Sequence, residues 1–226
     1  MKTMIPKSAL EGDIKRIAEL REMLPIESDG SLVVSFADRL LKFASAESEG
    51  WYSVVHTDSE SISRAKIVLF LDTYKRVVVL SPNPLDSFIE FARQFVWVEA
   101  AGGIVENAAG EVVMIRRNER WDLPKGHREM GEEFDWCAQR EAEEETGVKV
   151  ESVGRLLATT LHGYSFYGKW ELKLTAWYQM QGSSAELTPQ KEEGIICAEW
   201  IGRGEIREKI KTSFPTIRAV FDAFLN

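Results

Sequence analysis

The sequence predicts an α/β (α+β) fold, and three observations lead to that prediction. Helix and strand patterns alternate up to about Phe95, mostly strand patterns follow around one acid-rich helix, and the chain closes with an amphipathic helix. A chain of 226 residues with 44% hydrophobic content is long enough for one domain or two. Because the pattern changes near Phe95, we expect a small α/β domain over residues 1–95 and a second domain over residues 96–226.

The first predicted domain alternates helices with strands. The apolar spacing predicts a helix over Ser8–Met23, a strand over Ser31–Phe36, a helix over Ala37–Ala46, strands over Trp51–His56 and Arg76–Leu80, and a helix from Pro84 to about Phe95 with Asn83 as its N-cap. The segment SISRAKIVLFLDTYK has a mixed pattern and is left unassigned. We find no glycine-rich phosphate loop here and expect His56 to be a structural or surface residue rather than a ligand. A substrate lid, a dimerisation module and a partner-binding module all remain open.

The second predicted domain is richer in strands. Two strands, Val96–Glu106 and Glu111–Arg117, are joined by the turn NAAG, and a loop carrying WDLPKG leads into the acid-rich helix, which Gly147 ends. Further strands are expected over Val150–Thr160, Trp170–Met180 and Ile195–Ile201. The last helix, Phe214–Leu225, presents one apolar face to the core: Ile217, Val220, Phe221 and Phe224.

Charge and hydropathy exclude several classes of protein. A formal charge of -8 and a pI near 5.1 argue against nonspecific binding to nucleic acid or to an anionic membrane. No apolar run reaches the roughly 18 residues that span a bilayer, and the start MKTMIPKSALEGDIKR lacks the apolar core of a signal peptide. We therefore expect a cytoplasmic protein in which Cys137 and Cys197 stay reduced.

Three acids in the segment 126–148 have a spacing that indicates a cation-binding site. At about 100° per residue, Glu141 and Glu145 fall on the helix side of Cys137 and Ala138, which should face the protein, and Glu144 reaches in from the side. Carboxylates facing inward either take up protons or hold a cation, and hard oxygen ligands favour Mg²⁺ or Mn²⁺. The alternative is an ordinary surface helix rich in glutamate.

This segment, GHREMGEEFDWCAQREAEEETGV, resembles the Nudix box, Gx5Ex7REUxEExGU with U an aliphatic residue, at every fixed position. Ala142 is a small residue at one aliphatic place. The resemblance implies a Nudix α/β/α sandwich with a mixed sheet and a metal-dependent hydrolysis of phosphoanhydrides. It also implies that Gly126 gives its carbonyl to the metal beside three carboxylates, and that Arg140 pairs with Glu132 to hold the loop against the helix. A plain surface salt bridge is the alternative for that pair. The implied metal ligands are Gly126, Glu141, Glu144 and Glu145.

The resemblance implies that the general base comes either from the box or from a later loop. Glu141 is the candidate inside the box, and Glu193 or its neighbour Glu192 is the candidate in the later loop LTPQKEEGI. The alternative for the loop pair is a solvated surface charge. The sequence leaves the choice open.

Cations and aromatic residues near the box indicate how a substrate is held. Arg116, Arg117 and Lys125 stand out against the acidic background and suit a polyphosphate, although strand alternation lets only one of the two arginines face the site. His162, Tyr164 and Tyr167 could contact a nucleobase, or could form a polar turn between strands. Within the resemblance, a tyrosine at about the distance of Tyr164 past the box, together with PKGH, is typical of dinucleoside polyphosphate hydrolases.

The leading functional prediction is Mg²⁺-dependent hydrolysis of a nucleoside diphosphate linked to another moiety, with diadenosine polyphosphates as first candidates. Alternative substrates are a nucleoside triphosphate, ADP-ribose or a nucleotide sugar. A ligand-binding sensor that uses a Nudix domain is the competing class, which the complete box disfavours. Trp136 falls opposite Phe134 and Glu141 on the helix, so we expect it to pack against the N-terminal unit or a second subunit, which leaves a homodimer open.

Overall fold

The computed structural model describes residues 15–183 and 186–226, and the chain divides into two compact units. The first unit is Met1–Val98 with Thr160–Leu174, and the second is Glu99–Thr159 with Thr175–Asn226. Both units combine strands with helices, so the predicted α/β fold class is confirmed. Residues 160–174, the outer end of a long hairpin, belong to the first unit, although the sequence alone assigned them to the second domain. The domain boundary at residue 95 stays a prediction.

The first unit contains four neighbouring strands of the sheet and two helices. Its strands are β1 (Leu32–Phe36), β2 (Arg39–Ala44), β3 (Tyr52–Val55) and β4 (Arg76–Leu80), arranged in the order β1-β2-β4-β3. The helices are α1 (Arg64–Tyr74), which lies in the segment of mixed pattern, and α2 (Pro84–Ala92), which begins at the predicted proline. Residues 15–19 are helical and a 3-10 turn covers Arg21–Met23, whereas the start of the predicted first helix lies outside the described residues.

The helix predicted over Ala37–Ala46 is wrong. The chain turns sharply after β1, with Ala37 at φ 54, and returns as β2, which pairs antiparallel with β1 from Phe36↔Arg39 to Leu32↔Phe43. Leu41 and Phe43 are fully buried while Lys42 between them is not, so the burial follows a period of two. The run DRLLKFA is short enough for both periods to fit, and pairing with β1 decided in favour of the strand.

Phenylalanine rings form the core of the first unit. The ring of Phe43 lies 5.8 Å from Phe88 and 5.6 Å from Phe91, and Phe91 lies 4.9 Å from Phe95. His56 accompanies this core as a structural residue, since its Nδ1 lies 2.7 Å from Ser87 Oγ and its Nε2 lies 3.2 Å from a carboxylate oxygen of Glu90. These contacts join the end of β3 to α2.

The second unit carries the acid-rich helix. Its elements include β6 (Val112–Arg117), β7 (Arg120–Asp122), β8 (Lys125–His127), α3 (Phe134–Thr146), β11 (Ile195–Ile201), α4 (Arg203–Lys209) and α5 (Pro215–Leu225). Three long strands, β5 (Val96–Glu106), β9 (Val150–Phe166) and β10 (Lys169–Gly182), have their other ends in the first unit. Within the second unit the strand order is β11-β6-β5-β10-β9, with β7 beside β6 and β8 beside β5.

The core of the second unit confirms the predicted apolar face of the last helix. Ile217, Val220, Phe221 and Phe224 are buried together with Trp177 and Met114. The predicted bounds of β11 and α5 are confirmed to within a residue. The predicted end of α3 is also confirmed, because Gly147 closes the helix in the left-handed conformation at φ 69. The sequence did not predict β7, β8 or α4. No helix among the described residues is long and apolar enough to cross a membrane.

Candidate active site

The backbone of β8 and the inner side of α3 meet at Gly126. In the pairing of β8 with β5, Gly126 lies opposite Ala101. A Cβ atom at position 126 would collide with the carboxylate of Glu141, so only glycine lets that carboxylate approach the strand this closely. Cys137 Sγ lies 3.8 Å from the carbonyl oxygen of the same glycine. Strand and helix are thus in direct contact at the glycine that the resemblance implies as a metal ligand.

Arg140 is the central cation of the site. Its Nε and Nη2 donate to the two carboxylate oxygens of Glu132 at 2.8 and 3.0 Å, and Nη2 also donates to the carbonyl of His127 at 3.0 Å. Hydrogen bonding to Arg140 lowers the pKa of Glu132 to about 2. The loop before α3 is therefore tied to the helix by a two-pronged ion pair.

The same guanidinium reaches two of the predicted metal ligands. Arg140 Nη1 donates to Glu141 Oε1 at 2.6 Å and to Glu144 Oε2 at 3.0 Å. The Glu141 side chain is mostly buried, whereas that of Glu144 is 52% exposed. Burial raises the pKa of Glu141, although Arg140 opposes the shift. The helix thus presents one sheltered and one open carboxylate.

Glu145 is the most buried acid of the box, with a side chain only 3% exposed. Its Oε2 accepts a hydrogen bond from the backbone N–H of Lys125 at 2.9 Å. Burial raises its pKa, while the charge of Lys125 acts in the opposite direction. Lys125 Nζ in turn lies 3.3 Å from Asp122 Oδ2, so the lysine predicted to bind substrate is engaged inside the protein.

Arg117, rather than Arg116, faces the box. Its Nη1 lies 3.9 Å from Glu145 Oε1 and its Nη2 lies 3.3 Å from Glu193 Oε2. Arg116 pairs in register with Cys197 on β11. Burial raises the pKa of the Cys197 thiol, and the charge of Arg116 opposes that rise. Glu192 is exposed beside Glu193 in a 3-10 turn over Lys191–Glu193. Only one of the two adjacent arginines therefore faces the box, as the alternation predicts. Of the two loop acids, Glu193 is the one that contacts Arg117.

The donors at this site fit a hard divalent cation. Three carboxylates and the carbonyl of Gly126 are oxygen ligands of the kind that Mg²⁺ and Mn²⁺ prefer, and the missing Cβ of Gly126 leaves room for the carboxylate of Glu141. Among residues 15–183 and 186–226, no three acidic, histidine or cysteine side chains converge tightly enough to form a metal cage. The carboxylates are instead neutralised by Arg140, Lys125 and Arg117.

The aromatic residues predicted to bind substrate lie in the first unit. The rings of His162 and Tyr164 are 5.5 Å apart and line a cavity of that unit. Burial and a hydrogen bond with Glu171 raise the pKa of Tyr164. Tyr167 is 92% exposed in the hairpin turn, at φ 47. The box residues, by contrast, belong to the second unit.

The sequence missed several residues that shape the site. Asp122 is buried beside Lys125, and Glu99 accepts from Arg128 Nη1 at 2.7 Å, which fixes the strand after Gly126. Both acids lie on strands with no motif of their own, so only an observed pairing reveals them. Trp136, expected against a neighbour, is 71% exposed and lines an open concavity of about 640 Å³ with Glu132, Gln139, Arg140, Glu143 and Glu144.

The family comparison agrees with this geometry. Residues 97–224 match the model of the NUDIX domain, and the chain therefore belongs to the Nudix family. As a class it is a pyrophosphohydrolase, and enzymes of this family generally use divalent metal ions.

Solved structures similar to this chain were found in several organisms. They include a MutT protein from Methanosarcina mazei Go1, 20% identical with a TM-score of 0.42 over 57% of this chain and 92% of that one. An Ap4A hydrolase from C. elegans, in a binary complex, is 20% identical with a TM-score of 0.42 over 57% and 97%. A NUDIX hydrolase from Nitrosomonas europaea is 20% identical with a TM-score of 0.41 over 56% and 87%.

Proposed function

We propose that this chain hydrolyses a phosphoanhydride in a nucleoside diphosphate linked to another moiety, with Mg²⁺ as cofactor and diadenosine polyphosphates as the leading substrates. The observation that carries the proposal is the placement of three box carboxylates, Glu141, Glu144 and Glu145, along the helix that contacts Gly126. Every fixed position of the box is filled, which favours catalysis over a sensor that only binds. The preference for a dinucleotide rests on Tyr164 and on the PKGH segment.

The metal would be held by the carboxylates of Glu141, Glu144 and Glu145 with the Gly126 carbonyl. When bound, a divalent ion neutralises phosphate charge and lowers the pKa of bound water. Arg140 and Glu132 keep the loop and the helix in fixed relation, so the ligands are positioned before the substrate arrives.

Glu193 is the stronger candidate for the general base. It contacts Arg117, and the guanidinium of Arg117 also lies near Glu145, so this contact holds Glu193 close to the box. It would accept a proton from the attacking water while a new P–O bond forms and the bridging P–O bond breaks. The leaving phosphate departs with the electron pair of that bond. Arg117 supplies positive charge for the phosphate oxygens. Glu141, already bonded to Arg140, is the alternative base.

A substrate panel in Mg²⁺ and ¹⁸O-labelled water tests the proposal. The panel contains diadenosine tetraphosphate, ATP, ADP-ribose and a nucleotide sugar, and mass spectrometry identifies the products and the phosphorus that acquires ¹⁸O. We expect the highest kcat/KM for the dinucleotide. A higher kcat/KM for another member would replace the leading substrate.

The sensor alternative has its own outcome in the same panel. A sensor would bind one of these nucleotides, as measured by calorimetry, without cleaving any of them in Mg²⁺ or Mn²⁺. That result would overturn hydrolysis as the function. Cleavage that disappears in Glu145→Gln would exclude a contaminating enzyme as its source.

A further inference from the structure

Trp136 is an exposed aromatic residue of α3 that the box chemistry does not use. It is 71% exposed and lines an open concavity of about 640 Å³, which belongs entirely to the second unit. A volume of this size lies within the range of small-molecule sites, roughly 300–1,000 Å³. An exposed tryptophan on its own needs no explanation, but this one shares its concavity with Arg140 and Glu144 of the box.

The concavity runs along one side of α3. Trp136, Arg140 and Glu144 follow one another at intervals of four residues, so they are neighbours on the helix surface. At 1.5 Å per residue, Trp136 and Glu144 are separated by about 12 Å along the helix axis. Glu144 is the open carboxylate among the predicted metal ligands, since its side chain is 52% exposed. The concavity therefore leads from the predicted metal site to the indole ring.

Two polar side chains of the same helix also line the concavity. Gln139 comes three residues after Trp136, and Glu143 follows Gln139 by one turn. Glu143 Oε1 accepts a hydrogen bond from the backbone N–H of Val150 at 3.0 Å, and Gln139 Nε2 lies 3.5 Å from the same oxygen. The Glu143 carboxylate is therefore held by the backbone of β9, and it orients the amide of Gln139.

The amide of Gln139 and the carboxylate of Glu143 match the edge of adenine. A glutamine amide can bind adenine with two hydrogen bonds, because its oxygen accepts from the 6-amino group while its nitrogen donates to N7. The amino group has a second hydrogen, which a carboxylate can accept. A base with a carbonyl oxygen at that position offers no hydrogen to either acceptor.

The polar lining argues against a second copy of the chain as the occupant. Three of the lining residues are carboxylates: Glu132, Glu143 and Glu144. Charged residues are depleted in the cores of homodimer interfaces, and a twofold contact would place these acids against the same acids of the other copy. Carboxylates also repel phosphate, so the part of a nucleotide that suits the Trp136 end is its uncharged base.

We infer that the concavity binds the adenine base of the substrate, stacked on the indole of Trp136 and recognised at its edge by Gln139 and Glu143. The inference rests on the proposed function, because it takes the phosphates of the same nucleotide to lie at the box. The aromatic face provides affinity for any base, whereas the amide and the carboxylate select adenine. Trp136 occupies a variable position of the box and is thus a specificity residue that the motif does not include.

Adenosine tests the base contact alone, because it has no phosphate and its binding needs neither metal nor turnover. Calorimetry on the full chain should show binding that weakens about tenfold in Trp136→Ala and changes little in Trp136→Phe, which keeps an aromatic face. Because the ring is exposed, circular dichroism should show an intact fold in both variants. Leu156→Ala, at a 38% exposed apolar residue of β9, is the control and should bind like the wild type.

Inosine tests the contact with the edge of the base, since it carries a carbonyl oxygen where adenosine carries its amino group. The wild type should bind adenosine about tenfold more tightly than inosine. Gln139→Leu should lose this preference while it still binds both nucleosides through Trp136. Equal binding of the two nucleosides by the wild type would overturn the assignment of the edge contact.

Kinetics connect the concavity with the substrate. For an adenine nucleotide that the chain cleaves, Trp136→Ala should raise KM about tenfold with little change in kcat, because the ring acts in binding. If no nucleotide is cleaved but adenosine binding weakens in Trp136→Ala, the proposed function fails and the base contact stands. If cleavage proceeds with the same KM in wild type and variant, the inference fails and the proposed function stands.

Two further results would overturn the inference. One is the absence of adenosine binding to the wild type, or equal binding by the wild type and Trp136→Ala. The other is a dimer, measured by sedimentation velocity, that Trp136→Ala dissociates, because a second copy would then cover the ring.

Discussion

Arg140 donates to both carboxylate oxygens of Glu132, at 2.8 and 3.0 Å, and so joins the loop after Gly126 to the middle of α3. Both side chains are largely buried, and the pKa of Glu132 falls to about 2 because its charged form accepts these bonds. The pair therefore contributes to stability as well as to the position of Glu141 and Glu144.

Replacing Glu132 by glutamine should lower the free energy of unfolding by about 1.5–3 kcal/mol at neutral pH, the usual range for hydrogen bonds to charged groups. A depressed pKa contributes stability above the unfolded value of 4.5 that is lost as the pH falls towards about 2. The difference between wild type and variant in urea unfolding should shrink over that window. Glu133→Gln, at the exposed neighbour, is the control, and equal loss in both would contradict the assignment.

Glutamine at Glu145 or at Glu144 should reduce Mg²⁺-dependent turnover by about 10²-fold or more, because each removes charge that would hold the cation. Phosphate release measures the loss, and circular dichroism should show an intact fold. Glu151→Gln changes an exposed acid on β9 and should leave turnover unchanged. Full activity in both box variants would rule out their role as metal ligands.

Replacing each of the two loop acids should have a different effect on kcat. Glu193→Gln is expected to lower kcat by roughly 10²- to 10⁴-fold with little change in KM, since a positioned base acts in the chemical step. Glu192→Gln should retain the wild-type kcat, because the observed contact with Arg117 involves Glu193. If neither variant is impaired and Glu141→Gln is, the base lies in the box.

Cys137 should be unreactive towards alkylating agents at neutral pH in the folded protein. Burial raises the pKa of its thiol from 9.0 to about 12, so the nucleophilic thiolate is scarce. The unfolded chain loses this proton above 9.0 while the folded chain keeps it, so stability should fall between 9.0 and about 12. Cys137→Ala should lack this part of the pH dependence in unfolding measurements. Rapid labelling of native Cys137 would contradict the prediction.

Tyr164→Ala should raise KM for diadenosine tetraphosphate by about tenfold, since stacking on a base is worth about 1–3 kcal/mol. Tyr164→Phe keeps the ring and loses the hydrogen bond with Glu171, so its KM should stay near the wild-type value. Initial-rate kinetics over a substrate range measures both. Unchanged KM in the alanine variant would remove Tyr164 from the substrate site.

The sequence predicted the elements whose pattern is strong. Glu145 was expected to face inward from helical spacing, and it is buried on α3. The prediction of a helix over Ala37–Ala46 is wrong because a six-residue strand satisfies both periods, and only pairing with β1 decides between them. Lys125 was predicted to bind phosphate because it is a cation beside the box. Its ion pair with Asp122 could not be predicted, since Asp122 belongs to no motif.

The sequence by itself determined the Nudix box, the direction of its helix and the apolar face of α5, because these depend on spacing within one element. Tertiary structure decided which of two adjacent arginines faces Glu145, and which loop acid contacts Arg117. It also placed Tyr164 and His162 in the first unit, where both line a cavity. Those relations join residues distant in the chain, and contacts across elements arise only when strands pair and helices pack.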